Sequence, residues 1–266
     1  RDLHSFPTRR SSDLGSGCMN SHVKSIRWGK GIVKTIQVYS IVGSTNQFAR
    51  SFIKSGGASG TVLWALKQTA GRGRLGRTWD ADESSLTFSV VYQCPKNVLL
   101  DNLTLAVGLG LAQSLEVYFP QIKVKWPNDL WIAGKKLGGI LGETVHHQGS
   151  LWVVLGVGLN VNNSPGKEGG GRISLREATG SLWPRLGILD LALLGVERGF
   201  ALAYSKQDLS GLFRKHGNFI DRPIEVYQGG AVFRAIAREV LPDGRLLIED
   251  ARGHRALLPE EISVRF

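Results

Sequence analysis

Three short stretches carry side chains suited to chemistry on anions. The densest is Gly71-Arg72-Gly73-Arg74-Leu75-Gly76-Arg77, with three glycines and three arginines in seven residues. Glycine lets backbone N–H groups approach a ligand closely. Arginine presents a fixed fork of donors that matches carboxylate and phosphate oxygens. Alternating the two gives a positively charged loop suited to wrapping an anion; taken alone, it reads equally as a solvated basic turn or a nucleic-acid-binding patch. The second stretch is Asn128-Asp129 and, past a hairpin-like Ile132-Ala133-Gly134-Lys135, the run Lys136-Leu137-Gly138-Gly139. Glycines inside a strand mark close approach of a ligand or another backbone, and a lysine at the head of that strand projects into the same space. Most lysines, however, are solvated. The third is Ser44-Thr45-Asn46, where hydroxyls and free N–H groups at a helix start meet a polar ligand or only cap the helix.

These residues need a sheet and helices to hold them. Thr61 to Leu66 and Leu86 to Tyr92 read as strands on either side of the Gly-Arg loop. Thr35 to Tyr39 alternates as a strand from a fold expected to begin at Lys34, Ile41-Val42-Gly43 turns the chain, and a helix follows from Ser44 or Thr45 with Phe48, Phe52 and Ile53 inward. Leu99 to Phe119 is the longest helical pattern, with Leu103, Val107, Leu111, Leu115 and Phe119 on one stripe. Pro127 breaks the chain between two short strands. Leu151 to Val161 reads as a central strand, apolar on both faces, with Asn160 a polar residue in need of a partner. A glycine-rich loop at 166–171, a short helical turn at 174–179, a second long helix from Leu186 to Gln207 interrupted by Gly195 and Gly199, and a turn or two near Leu209 follow. The last fifty residues change to short strands separated by Gly229-Gly230 and Asp243-Gly244, the pattern of a small β-barrel or sandwich.

Composition narrows the class. The 266 residues are 42% apolar and 21% charged, ordinary for a globular protein, and the net charge is +11. That charge suits an acidic partner or an anionic ligand. Two cysteines, Cys18 and Cys94, make neither a disulfide framework nor a metal cluster and fit a reducing compartment. No apolar run is long enough to span a membrane. Residues 1–18 are polar, Ser- and Arg-rich and aperiodic, and Met19 is the only methionine. They read as a non-native or disordered tail outside the fold.

Five blocks in one order make a specific resemblance: Ser44-Thr45-Asn46; Gln68-Thr69-Ala70 with the Gly-Arg loop and Trp79; Lys125-Trp126-Pro127-Asn128-Asp129; Lys136-Leu137-Gly138-Gly139-Ile140-Leu141; and Gly156-Val157-Gly158-Leu159-Asn160. Together they resemble the biotin protein ligases, over Lys34 to the C-terminus. The resemblance implies an α+β fold. A mixed β-sheet flanked by helices, related to class II aminoacyl-tRNA synthetases, would form a catalytic domain at 34–217, and a small SH3-like β-barrel would occupy 218–266. It implies the monofunctional type without an N-terminal DNA-binding domain, hence no specific DNA, and a cytoplasmic enzyme without membrane attachment.

The implied chemistry is ATP-dependent. Biotin is activated as biotinyl-5′-AMP with Mg²⁺, then passed to a lysine of a biotin carboxyl carrier domain, with Arg74 and Lys136 as the catalytic residues. Biotin would meet Ser44, Thr45, Asn46, Gln68, Arg72, Gly73, Arg74, Lys136, Gly138 and Gly139. ATP would meet Arg72, Arg74, Arg77, Trp79, Asn128, Lys136 and Asn160, with Asp129 a candidate on the metal side. An exposed sheet edge is a place for the carrier or for a second copy in a homodimer.

The chain departs from the pattern at Leu75, where many relatives have another basic residue, and at Gly142, where a larger apolar residue is common. Three other readings stay open: a lipoate or octanoate ligase-like enzyme of the same fold, a basic nucleic-acid-binding protein, and a non-catalytic biotin-binding relative. The Gly-Arg repeat argues against the first, and the placement of most aromatics inside apolar runs against the second.

Overall fold

Apolar runs of strand length assemble into one large mixed sheet. The structure, a computed structural model, describes residues 22–29, 31–95, 102–166, 171–205, 207–258 and 262–265. The tail at 1–18, Met19 and the Leu99 start of the expected long helix lie outside the described residues. In chain order the first sheet comprises β1 (His22–Arg27), β2 (Thr35–Val42), β3 (Thr61–Gln68), β4 (Leu86–Gln93), β5 (Lys123–Lys125), β6 (Asp129–Ile132), β7 (Lys135–His147) and β8 (Ser150–Leu159). Their spatial order is β1-β2-β3-β4-β8-β7-β6-β5. Only β2 and β3 run parallel; the other neighbours are antiparallel. Helix α1 (Thr45–Lys54) makes the crossover between β2 and β3, as a parallel pair requires.

The central strands are buried on both faces. On β3, Val62 and Trp64 join one core, and Leu63 and Ala65 join another beneath α1. That is why these strands read as unbroken apolar runs. The larger core lies under α2 (Leu103–Leu115) and α4 (Arg185–Tyr204). The expected α2 stripe is buried, but so are Leu105, Ala106, Leu109 and Ala112. A helix held between a sheet and a second helix has little solvent face left to be polar. In α4, Gly195 and Gly199 do not interrupt the helix. A Cβ at Gly199 would press on the Val107 backbone and one at Gly195 on the Leu111 backbone, while Gly110 sits against Gly195 O and Gly199 N. The glycines let the two helix backbones meet.

The fold begins earlier than Lys34. β1 pairs with β2 in antiparallel register, with Ile26 opposite Ile36. Its sequence, HVKSIR, lacks clean alternation because an edge strand buries little. β2 likewise runs on through Ile41-Val42 instead of turning there, since both residues pair with β3.

Helices α3 (Leu175–Thr179) and α5 (Ser210–His216) lead to a second sheet. It contains β9 (Arg222–Gln228), β10 (Ala231–Val240), β11 (Leu246–Asp250), β12 (Gly253–Leu257) and β13 (Ile262–Arg265). All pairs are antiparallel, in the order β12-β11-β10-β9-β13. Gly229 and Gly230 take positive φ in the turn between β9 and β10, where a side chain would be strained. Ile224, Val226, Ala237, Val240, Leu246 and Ile248 continue the main core, and Trp126 Nε1 donates to Gly244 O at 2.9 Å. The small sheet is thus seated on the turn that leads to Asn128.

Candidate active site

A cleft of about 460 Å³ opens on the α1 side of the large sheet. Strand alternation decides what lines its floor. On β8 the side chains of Trp152 and Val154 face α1, so the next residues in phase, Gly156 and Gly158, face the same way. Opposite them across β4 stand Ser89 and Thr87, and across β7 stand Leu141 and Gly139. Where a side chain would fill the space there is glycine. A Cβ at Gly156 would run into Asn46 Oδ1, and one at Gly158 would lie 2.5 Å from Trp79 Cε2. The Trp79 ring therefore rests directly on the sheet.

The N-terminus of α1 forms one end. Ser44, Thr45 and Asn46 are all buried and all line the cleft. The Ser44 side chain makes no capping bond. Instead Gln68 Oε1, from the end of β3, accepts the Thr45 N–H at 2.7 Å. The expected ligand-side glutamine thus also holds an orphan donor of the helix.

The Gly-Arg loop folds back as a short hairpin over the mouth. Arg72 pairs with Thr78, Gly73 N donates to Arg77 O at 2.8 Å and Trp79 N to Gly71 O at 2.9 Å. A single 3₁₀ turn at Arg74–Gly76 makes the tip, with Leu75 at φ 55 and Gly76 at φ 72. The left-handed region costs a residue with a side chain on the order of 1–2 kcal/mol, so Leu75 is a strained, exposed tip residue. Gly71 is needed for close approach: a Cβ there would meet Trp79 O. Arg74 reaches across the cleft, Nη1 to Asn128 Oδ1 at 3.1 Å, and Asn128 is itself anchored by Nδ2 to Ile140 O at 2.8 Å.

Lys136 enters through an irregularity. Strict alternation from Gly139 would turn Lys136 to the far face. The β6–β7 ladder pairs Leu130 with Gly138 but Trp131 with Lys136, leaving Leu137 as an extra residue. This bulge sends Leu137 into the core and Lys136 into the cleft. There Nζ pairs with Asp129 Oδ1 at 2.8 Å and lies 5.9 Å from the Trp79 ring centroid. The hairpin between β6 and β7 has Ala133 at φ 49 and Gly134 at φ 72, the left-handed pair of a two-residue type I′ turn. Lys135, at its exit, is exposed. The Lys136 backbone is clamped by the segment leading to α3: Lys136 N donates to Gly171 O at 3.2 Å and Ile173 N to Lys136 O at 3.0 Å. A capping box between Ser174 and Glu177 holds that segment.

Of the residues expected at the site, Ser44, Thr45, Asn46, Gln68, Arg72, Gly73, Arg74, Arg77, Trp79, Asn128, Asp129, Lys136 and Gly139 line this one cleft. Two do not. Gly138 faces the opposite side, where a Cβ would meet Gly158 O and Leu159 Cδ2; neighbours on a strand cannot both face the same ligand. Asn160 is 2% exposed, beyond the lining. Its Oδ1 accepts from Asn163 Nδ2 at 2.9 Å and its backbone carbonyl from Leu175 N.

The structure adds cleft residues to which sequence reasoning gave no role. Lys125, Trp131, Thr87 and Arg172 line the space, and Arg172 pairs with Asp80 at 3.3 Å. Among the described residues the lining holds six cationic side chains (Arg72, Arg74, Arg77, Lys125, Lys136 and Arg172) against the single carboxylate of Asp129. Such a concave basic surface concentrates a polyanion. Among the described residues no group of three His, Cys, Asp or Glu side chains is placed to hold a metal ion.

With this geometry in view, the likenesses to known proteins are consistent. The model of the biotin/lipoate A/B protein ligase family matches residues 38–160. The chain is 33% identical over 227 residues to the biotin–[acetyl-CoA-carboxylase] ligase of Mycobacterium tuberculosis, covering 81% of this chain and 84% of that protein. It is 31% identical over 242 residues to the bifunctional ligase/repressor BirA of Salmonella typhimurium, covering 86% and 74%. Among solved structures, biotin protein ligase from Aquifex aeolicus in complex with biotin and ATP superposes with a TM-score of 0.75 at 28% identity, over 86% of this chain and 98% of that one.

Proposed function

Because the chain belongs to the biotin/lipoate A/B protein ligase family, we propose that it is a biotin protein ligase. It joins biotin to AMP at the expense of ATP and then passes biotin to a lysine of a biotin carboxyl carrier domain. The observation that carries this reading is the shared cleft. A buried polar floor at Ser44 to Asn46, fit for a neutral polar ring, lies in one cavity with six cations fit for a carboxylate and a nucleotide.

The first step brings two anions together. The biotin carboxylate oxygen bonds to the α-phosphorus as the bond to pyrophosphate breaks. Lys136 offsets their repulsion, exchanging Asp129 for the substrate oxygens, and then holds the acyl-phosphate oxygen. Arg72 and Arg74 close over the carboxylate and the phosphates, Arg77 adds charge at the mouth, and Trp79 supplies a flat face for the adenine. In the second step the carrier's neutral lysine amine bonds to the acyl carbon, the bond to AMP breaks, AMP leaves as its phosphate anion, and the amine nitrogen gives up one proton to solvent. Positioning and electrostatics do the work, without a protein nucleophile. Mg²⁺ characteristically binds through phosphates and one or two carboxylates; Asp129 is the carboxylate on hand, so the ion would be held mainly by the nucleotide. We assign the catalytic part to 34–217, preceded by β1, and the small β domain to 218–266. A free sheet edge is our site for the carrier or a second copy.

Biotin-dependent exchange of labelled pyrophosphate into ATP tests the reading. Exchange with biotin, and not with lipoate or octanoate, is expected. Exchange driven by lipoate or octanoate alone would move the chain to the other branch of its family. Biotin binding without exchange would make it a non-catalytic relative.

A further inference from the structure

Four neighbours fix which way the Asn46 amide faces. Nδ2 donates to Glu143 Oε2 at 2.8 Å and to Leu141 O at 3.3 Å. Both partners are acceptors only, an ionised carboxylate and a backbone carbonyl. Ser89 Oγ donates to Oδ1 at 2.7 Å. Arg50 Nη2 holds the other carboxylate oxygen, Glu143 Oε1, at 2.6 Å. Turning the amide over would set Oδ1 against two acceptors, so one orientation survives.

That orientation has a consequence at the floor. Oδ1 is the atom that lies over Gly156, and Asn46 and Gly156 both line the cleft. An amide oxygen accepts two hydrogen bonds, and Ser89 uses one. The other is left for a ligand at the α1 end of the cleft, which Ser44 and Thr45 also line. Glu143 and Ser89 are not among the cleft-lining residues, and both hydrogen-bond Asn46, which is.

We propose that Glu143 is a positioning residue that presents Asn46 to the cleft as a hydrogen-bond acceptor, so that the site selects a ligand ring carrying an N–H group. This rests on the ligase reading of the same cleft, where that N–H belongs to the cyclic urea of biotin. A ring that offers only an acceptor at this point meets oxygen against oxygen, an unpaired buried contact that costs affinity.

The test measures equilibrium binding to the full chain without ATP, by calorimetry. The ligands are biotin and the two cyclic carbamate analogues in which a ring oxygen replaces one or the other ureido N–H. The wild-type chain should bind biotin at least about tenfold more tightly than one of the carbamates. Glu143→Ala frees the amide to turn and donate. Biotin should then weaken about tenfold while that carbamate holds its affinity, collapsing the ratio. Glu143→Gln keeps an acceptor oxygen and should retain most of the ratio. Equal weakening of biotin and carbamate in Glu143→Ala would reduce Glu143 to scaffold and overturn the inference. Equal wild-type affinity for biotin and both carbamates would overturn it without any variant having to fold, leaving the ligase reading in place. Failure of the wild-type chain to bind biotin at all would remove that reading as well.

Discussion

The floor of the cleft and its rim are built in different ways. At the floor, Asn46 has both amide atoms tied to protein partners, and Gln68 is tied to the start of α1. Gly156 and Gly158 leave no slack beneath Asn46 and Trp79. At the rim, the Gly-Arg hairpin stands in solvent: Arg72 and Arg77 are exposed and Leu75 is 58% exposed. A close-packed floor recognises a small neutral group through directed hydrogen bonds and tolerates no added volume. A charged, exposed rim attracts anions at a distance and adjusts its side chains on contact. The contrast suits a protein that must distinguish one ring and yet hold phosphates that move during the reaction.

The contrast can be broken at Lys136, where floor and rim meet. Lys136→Ala should lower the rate of adenylate formation on the order of 10²–10³-fold, as losing one donor to developing charge does. Biotin binding measured without ATP should change far less. Single-turnover adenylation beside direct binding separates the two, and equal losses in both would mean Lys136 belongs to the floor.

Adding one methyl group to each region sharpens the difference. Gly156→Ala drives a Cβ into Asn46 and should cost about 1–3 kcal/mol of stability by overpacking, with biotin affinity falling in step. Gly73→Ala, whose Cβ would find its nearest neighbour at 3.6 Å, should stay within about 0.5 kcal/mol. Thermal melts of the two variants decide it, and matching losses would erase the distinction.

Salt should separate the regions more gently. Salt largely screens exposed charges that lie more than about 8 Å apart at physiological ionic strength. Raising salt should therefore weaken ATP, drawn by the whole basic rim, several-fold more than biotin, which brings one carboxylate. Parallel salt dependence of the two dissociation constants would show that the rim charges do not steer the nucleotide. The smallest effect is expected at Lys135, exposed at the hairpin exit. Lys135→Ala should alter adenylation only a few-fold, since an exposed charge contributes roughly 0–1 kcal/mol. A loss as deep as that at Lys136 would contradict the bulge that separates them.

Much of the rim was legible in the amino-acid sequence, and much of the floor was not. Arginine and glycine at short spacing announce their chemistry wherever the loop lies. Glu143 does not: four residues beyond Gly139 on one strand, it shares that glycine's face, but its partner Asn46 is 97 residues away. Arg172 follows a glycine-rich stretch of sequence and gave no signal. The turns were readable because Gly134, Gly229 and Gly230 adopt φ values that favour glycine. β1 was not readable, because pairing to a sheet edge needs backbone groups more than apolar side chains.

Composition and spacing by themselves determined the strands of the central sheet, the amphipathic stripe of α1, the basic loop, the lysine at the head of a glycine-rich strand and the change to a small β unit. Each follows from local periodicity or from the conformational range of single residues. Only the tertiary structure decided that Leu137 bulges and turns Lys136 toward Asp129, that Gly139 and not Gly138 lines the cleft, that Asn160 lies beyond the lining, and that Glu143 meets the Asn46 amide. The reason is physical. A strand's period tells which residues share a face, but one inserted residue reverses every face beyond it. Where that insertion falls depends on what the neighbouring strand and the core beneath it accept.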